Sequence, residues 1–210
     1  MNMKELQGSI DALTIDLKSV EERREKLIKG TRDVISLCSK SIVALHNGKY
    51  TDASQQIIRA RESLDELKET AKEDLYRYLI SAETELVEAS TLQAIISSST
   101  IPSIQKMNVR SNSYILGLLD CIGELKRMVY DRIRTGNSDD AKNLFELMEQ
   151  IYIVLFPLSV YDNIVQGVRR KLDVARILIE DTRAAITEDL RRLDMLDSID
   201  KLRDKLSEGV

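Results

Sequence analysis

The chain has 210 residues, 43% hydrophobic and 31% charged, with a formal net charge of −4. Two cysteines exclude a disulfide framework. The acidic balance excludes a globally basic nucleic-acid binder, and the lack of Trp, with only two Phe, removes the stacking platform that sequence-tolerant single-strand binders use. Any contact with RNA must therefore come from local basic patches. Met1 to Gly30 is charged and has no apolar centre, so no secretory signal is expected there. No unbroken run of ~18 apolar residues exists, so no membrane span is expected, and the cytoplasm is the expected location. The length suits a single all-α domain over 1–210.

The two prolines, Pro102 and Pro157, leave long stretches with nothing to stop a helix. Leu6, Ile10, Leu13, Leu17, Val20, Arg24, Leu27, Thr31, Val34, Cys38, Ser41 and Leu45 follow alternating steps of four and three, the seam of one helix. Cys38 on that seam reads as a small core hydrophobe. The spacing predicts a helix from about Lys4 to His46, ~65 Å long at ~1.5 Å per residue. That is too long for one compact domain, so its narrow-striped N-terminal half needs a partner, in this chain or another. Asn47-Gly48 ends it, and Thr51 or Asp52 is the expected N-cap of a second helix with Ala53, Ile57, Ala60, Leu64, Leu67 and Ala71 inward. A third helix is expected from about Glu73 to Ser97, then a loop to Asn112. Ser111, Asn112 or Ser113 caps a fourth helix reaching about Arg134. After the turn Thr135-Gly136-Asn137, Ser138 caps a fifth, which Phe156-Pro157 breaks. A sixth runs from about Ser159 to Ile186, and Thr187 is the candidate restart of a seventh. No β pattern occurs, so the fold class is all-α, a bundle of seven helices with a very long first helix.

His46 is the single histidine, at a helix end, with no partner placed for it by the sequence. No glycine-rich phosphate loop exists. Carboxylates remain. Glu85 and Glu88 are spaced i, i+3, and Asp120 and Glu124 i, i+4, so each pair shares a helix face. With Ile115 at 0° and ~100° per residue, the apolar residues of the fourth helix centre on ~340°. Asp120 and Glu124 fall at ~140° and ~180°, away from that stripe. Two readings are open: solvated faces pairing with Lys and Arg, or convergence of four carboxylates on a hard cation such as Mg²⁺ or Mn²⁺. Gly117 and Gly123 lie mid-helix at ~1 kcal/mol each relative to Ala. Gly117, beside the second pair, suits either helix packing or the close approach of another backbone. Arg77 and Arg127 neighbour the carboxylates and are the favoured candidates to meet phosphate. Other basic clusters are Arg23-Arg24, Arg59 with Arg61, Arg169-Arg170-Lys171 and Arg191-Arg192.

The segment Tyr114-Ile-Leu-Gly-Leu-Leu-Asp-Cys-Ile-Gly-Glu-Leu-Lys-Arg127 resembles the signature of the Trax branch of the translin/Trax family. There a Tyr-Leu-x-Gly stretch leads to Asp-x-x-Gly-Glu-Leu and a basic residue. Glu85-Leu-Val-Glu88-Ala89 is similar to its Glu-Tyr-Val-Glu-Ala stretch. Thr31 to Ala60 resembles the first helical hairpin of these proteins, and Val168-Arg-Arg-Lys-Leu-Asp173 a basic stretch in their late helix. The resemblance implies a single-chain, archaeal-like subunit of a hollow homo-oligomer, often an octamer, holding RNA (or single-stranded DNA) inside. It implies a Mg²⁺- or Mn²⁺-dependent endoribonuclease acting mainly on single-stranded RNA. Glu85, Glu88, Asp120 and Glu124 match the catalytic, metal-holding carboxylates. Three departures stand out: Leu86 replaces an aromatic residue, Ser113 an acidic one and Cys121 an apolar one. Three rivals remain: a non-catalytic translin-like RNA- or DNA-binding oligomer, an all-α nucleotide pyrophosphohydrolase, and a coiled-coil scaffold without chemistry.

Overall fold

The computed structural model describes residues 3–208, all helices and connecting turns, with no strand among them. Contacts divide the chain into two compact units, Met1–Gly117 and Leu118–Val210.

In the first unit, α1 (Met3–His46) and α2 (Tyr50–Ala71) form a hairpin. The buried residues of α1, Leu27, Thr31, Val34, Cys38, Ser41, Ile42 and Leu45, lie on or beside the expected seam. Gly30 allows the two helices to touch, since a Cβ there would meet Leu67 Cδ2 at 2.5 Å. Gly48 closes α1 in the left-handed conformation (φ 72°), with the Lys49 N–H on the Ala44 carbonyl at 2.9 Å. All six apolar residues expected inside α2 are buried. Its N-cap position is Lys49, with no side-chain cap; Thr51 and Asp52 fall within the first turn, where Asp52 complements the helix dipole.

The third helix starts later than its spacing predicts. After Ala71 the chain turns at Lys72 (φ 48°), passes through a 3₁₀ turn at Tyr76–Tyr78 and enters α3 (Ile80–Ile96). Here tertiary bonds of Tyr76 and the burial of Leu75 and Leu79 override helix periodicity. α3 is the central helix of the unit, buried at Ala82, Glu83, Thr84, Leu86, Val87, Ala89, Ser90, Thr91, Leu92 and Ala94. Within the expected loop lies one short helix, α4 (Ile104–Met107), capped by Ser103. α5 (Ser111–Arg134) begins in this unit and continues into the second.

In the second unit, α6 (Ser138–Leu155), a 3₁₀ turn (Phe156–Tyr161) and α7 (Val168–Glu208) follow the rest of α5. Phe145, Met148, Ile151 and Leu155 of α6 and Val168, Leu172, Ala175 and Ile179 of α7 are buried. The N-cap position of α6 is Asn137; Ser138 instead donates to Asp189 at 2.5 Å. The sixth helix does not start at Ser159, because Pro157 sits in the 3₁₀ turn and Gly167 (φ 83°) ends the turns that follow. Nor does the chain restart at Thr187. Its hydroxyl bonds back to the Arg183 carbonyl at 2.8 Å, so α7 runs unbroken. The described residues thus contain seven α-helices, as expected in number, with α4 added and the last two expected helices merged.

The segment Ser138–Tyr161 is long and apolar enough to cross a membrane by length and composition (mean hydropathy 1.4). Only 22% of that stretch is buried, and Glu149 holds Arg183 at 2.6 Å. The seam of α1 is exposed at Leu6, Ile10, Leu13 and Leu17, and α7 is exposed at Leu193, Leu196, Ile199, Leu202 and Leu206.

Candidate functional site

Glu85 and Glu88 project from α3 one turn apart and are half-buried. A merely solvated face would leave them exposed. Cys38 of α1 lies in their field: its thiol, fully buried, is pushed up to about 12 by burial first and then by the charges of Glu85 and Glu88. Leu86, between them, is wholly buried.

Asp120 and Glu124 are also half-buried, with side-chain exposures of 30% and 24%. They flank the apolar face of α5 rather than oppose it. That face is wider than the stripe the sequence suggests, because Cys121, Leu125 and Met128 are buried with Leu119, Ile122 and Val129. Lys171 of α7 donates from Nζ to Asp120 Oδ1. Arg127 Nη1 lies 3.9 Å from Glu124 Oε2. Neighbouring Lys126 pairs with Asp181 of α7 at 3.0 Å. Gly117 is buried within the first unit, where a Cβ would meet the Thr84 carbonyl oxygen at 2.5 Å and Val87 Cβ at 2.7 Å. The backbone that approaches it is that of α3, so close helix packing is the reason for this glycine.

Arg77 does not share a helix with Glu85, since residues 73–79 are not α-helical, and its expected phase with that residue does not hold. Its guanidinium lies 5.1 Å from the Tyr78 ring centroid. Arg24 donates to the Tyr78 hydroxyl at 3.0 Å. Arg77 and Arg24, hydrogen-bonded to that hydroxyl, lower the pKa of Tyr78.

One acid escapes the sequence reasoning. Glu83, 0% exposed, accepts from the Tyr76 hydroxyl at 2.5 Å, from Ser113 Oγ at 2.7 Å and from the Arg110 backbone N–H at 3.3 Å. Burial, and then the bond to Glu83, raise the pKa of the Tyr76 phenol. The Arg110 guanidinium stacks 3.5 Å over the Tyr76 ring and pairs with Glu73 at 2.5 Å. The available signal was phase: Glu83 stands three and four residues before Leu86 and Val87, on the buried side of α3.

Residues 22–181 match the model of the Translin family. The chain belongs to the Translin family. It is 27% identical over 201 residues to protein MJ0175 of Methanocaldococcus jannaschii, covering 91% of this chain and 87% of that protein, which fits an archaeal-like member. The crystal structure of AfC3PO matches at 31% identity and a TM-score of 0.75, covering 92% of this chain and all of that one. A complex of AfC3PO with duplex RNA matches at 30% identity and the same TM-score, covering 92% and 99%. Apo-NeC3PO, at 22% identity and a TM-score of 0.76 over 86% and 96%, shares the fold.

In this Translin-family chain the departure at Ser113 has a structural reason. Its hydroxyl faces the buried Glu83, and an acidic side chain there would set two carboxyl groups against each other. Glu85, Glu88, Asp120 and Glu124 offer oxygen alone, the donor chemistry of a hard divalent cation. Among the described residues, no group of three or more His, Cys, Asp or Glu side chains is already arranged to hold a metal. Asp120 carries the Lys171 ammonium, so binding a cation there requires that ion pair to open.

Proposed function

We propose that this chain binds RNA as a subunit of a hollow homo-oligomer, an octamer in the family pattern, and cuts RNA internally with Mg²⁺ or Mn²⁺ held by Glu85, Glu88, Asp120 and Glu124. The observation that carries this is the half-burial of all four, each at a position matching the Trax motif. Surface acids on helices are normally solvated, and removing carboxylates from water is costly unless partners or a cation compensate. The pairs lie on α3 and α5, in different units, and their joint action is inferred from the family motif. Glu85, Glu88, Asp120 and Glu124 would hold the cation, which when bound would lower the pKa of a water and offset phosphoryl charge; one of these carboxylates would accept the proton of the attacking water. Lys171 donates to Asp120. Arg77 and Arg127 offer guanidinium groups to backbone phosphates. The exposed apolar stripe of α1 supports self-association. The solved AfC3PO complex contains duplex RNA, so duplex and single-stranded RNA are both candidate ligands, with single-stranded RNA (or DNA) the simpler fit to an enclosed cavity. A cytoplasmic location suits such a substrate.

One observation favours a second reading, a non-catalytic RNA-binding oligomer: the Lys171–Asp120 pair already satisfies one of the four acids. The two separate in one experiment. Labelled single-stranded and duplex RNA are incubated with Mg²⁺, Mn²⁺ or EDTA, beside a Glu88→Gln/Asp120→Asn variant. Metal-dependent internal cleavage that the variant loses supports the nuclease. Binding with intact RNA in every lane supports the non-catalytic oligomer.

A further inference from the structure

We propose that a ridge of alternating charge on α7 docks a second copy of this chain, antiparallel and across a two-fold axis. The proposal rests on the homo-oligomer reading above. Arg169, Asp173, Arg176 and Glu180 follow steps of four, three and four. At ~100° per residue they fall within ~60° of one another, so they form one narrow ridge ~16 Å long. All four are exposed. Asp173 stands one helical turn from each arginine. Yet among the described residues Arg169, Asp173 and Arg176 form no ion pair, whereas Lys171 and Asp181 are paired with α5, and Arg183 with α6. Glu180 holds Arg183 at 2.8 Å, but Arg183 also holds Glu149 at 2.6 Å. Glu180 can therefore turn to a new partner without stranding that guanidinium.

The order of the charges decides the partner. Along α7 it reads plus, minus, plus, minus. In an antiparallel pair centred between Val174 and Ala175, Arg169 faces Glu180 of the second copy and Asp173 faces Arg176 of the second copy. The two-fold then repeats both pairs, as the self-complementarity of an isologous contact demands. A parallel copy in register would set like charges against each other. The ridge carries two charges of each sign, so a polyanion such as RNA gains nothing net from it. Its flanks are apolar: Ile153 and Phe156 border a cavity of about 570 Å³ beside the ridge, and Ile177 stands exposed on the other side. Docking covers these flanks and shields the ion pairs from salt. One isologous contact closes a dimer and no more. A larger shell needs a second, different contact, which the exposed stripe of α1 offers.

The test is charge reversal and charge swap, read as particle mass by analytical ultracentrifugation over a concentration series. It uses the full chain without RNA or added metal, as wild type, Asp173→Arg, Arg176→Asp and the double variant Asp173→Arg/Arg176→Asp. The substituted positions are exposed, so circular dichroism should show wild-type helicity in all of them. Each single variant sets like charges against each other twice per contact. It should weaken association about tenfold or more and sediment as smaller particles at concentrations where wild type stays whole. The double variant makes the facing charges opposite again and should regain the wild-type mass. If the single variants assemble like wild type, or the double variant stays as weak as they are, the ridge contact is refuted and the homo-oligomer stands on other surfaces. If wild type is monomeric at every concentration, the homo-oligomer reading falls and the ridge contact with it.

Discussion

Lys171→Met is the sharpest single probe of Asp120. The ammonium and the carboxylate are 28% and 30% exposed and directly bonded. A part-buried pair of this kind contributes about 1 kcal/mol. A cation that takes Asp120 must first displace Lys171, so removing the lysine returns that energy to metal binding, about a fivefold gain. It also removes a positive charge beside a dication, worth ~2 kcal/mol at ~4 Å in a water-like medium, twice the value for two unit charges. Mn²⁺ affinity should therefore rise about five- to 150-fold, since ~1.4 kcal/mol is tenfold. The metal-free variant should melt about 2–4 °C below wild type and recover part of that loss when Mn²⁺ is added. Calorimetric titration and thermal melts with and without Mn²⁺ read both effects. Unchanged or weaker Mn²⁺ binding by Lys171→Met would refute the reasoning: Asp120 would then not be a metal ligand, or Lys171 would act as a strut that orients it.

The two mid-helix glycines of α5 should respond in opposite directions. Gly117→Ala drives a Cβ into the Thr84 carbonyl at 2.5 Å and should destabilise the chain by about 1–3 kcal/mol despite its better helix propensity; Gly123→Ala, whose nearest neighbour is Leu178 Cδ1 at 4.0 Å, should stabilise it by up to ~1 kcal/mol, both read by denaturant titration. Cys38 should resist thiol reagents in the native, metal-free protein at pH 8. Its folded pKa, about 12, lies above the unfolded value of ~8.5, so the folded state keeps a proton that the unfolded state loses. Stability relative to Cys38→Ala should accordingly be constant below that value and fall by up to ~1.4 kcal/mol per pH unit above it. Leu13→Arg, on the exposed seam of α1, should leave helicity intact and reduce the oligomer to smaller species in light scattering. An unchanged particle mass would exclude that stripe from the interface.

Local signals that agree with tertiary packing were legible. The seams of α1 and α2 could be traced because apolar residues at helical spacing face one partner, and Gly48 announced the turn between them because only its φ of 72° closes the hairpin. The start of α3 was hidden because nothing in the spacing around Tyr76 shows that its hydroxyl bonds to Glu83 seven residues on. The unity of α7 was hidden because Thr187, a good cap by residue type, bonds back to its own helix. The acidic pairs were legible since their spacing alone gives a shared face. Lys171 was not, because it reaches Asp120 from 51 residues away.

Glu83 shows why residue type misleads where the core is most crowded. α3 is covered on nearly every side, so its acids cannot all reach water. Glu83 stays inside because Tyr76, Ser113 and the Arg110 N–H supply its hydrogen bonds. Glu85 and Glu88, rotated off that phase, stop at half-burial. A helix that must be both core and carrier of charge has only its edges left for chemistry. The two long helices divide the same problem along their length. α1 is core from Leu27 onward and exposed before Leu17, and α7 has buried positions as far as Asp189 and is exposed beyond it. Each exposed Leu or Ile on these stripes stands to gain on the order of 1 kcal/mol on burial, and several together approach the lower estimates of the association cost. On the reading proposed above, these segments are where a second copy of the chain would gain its driving force.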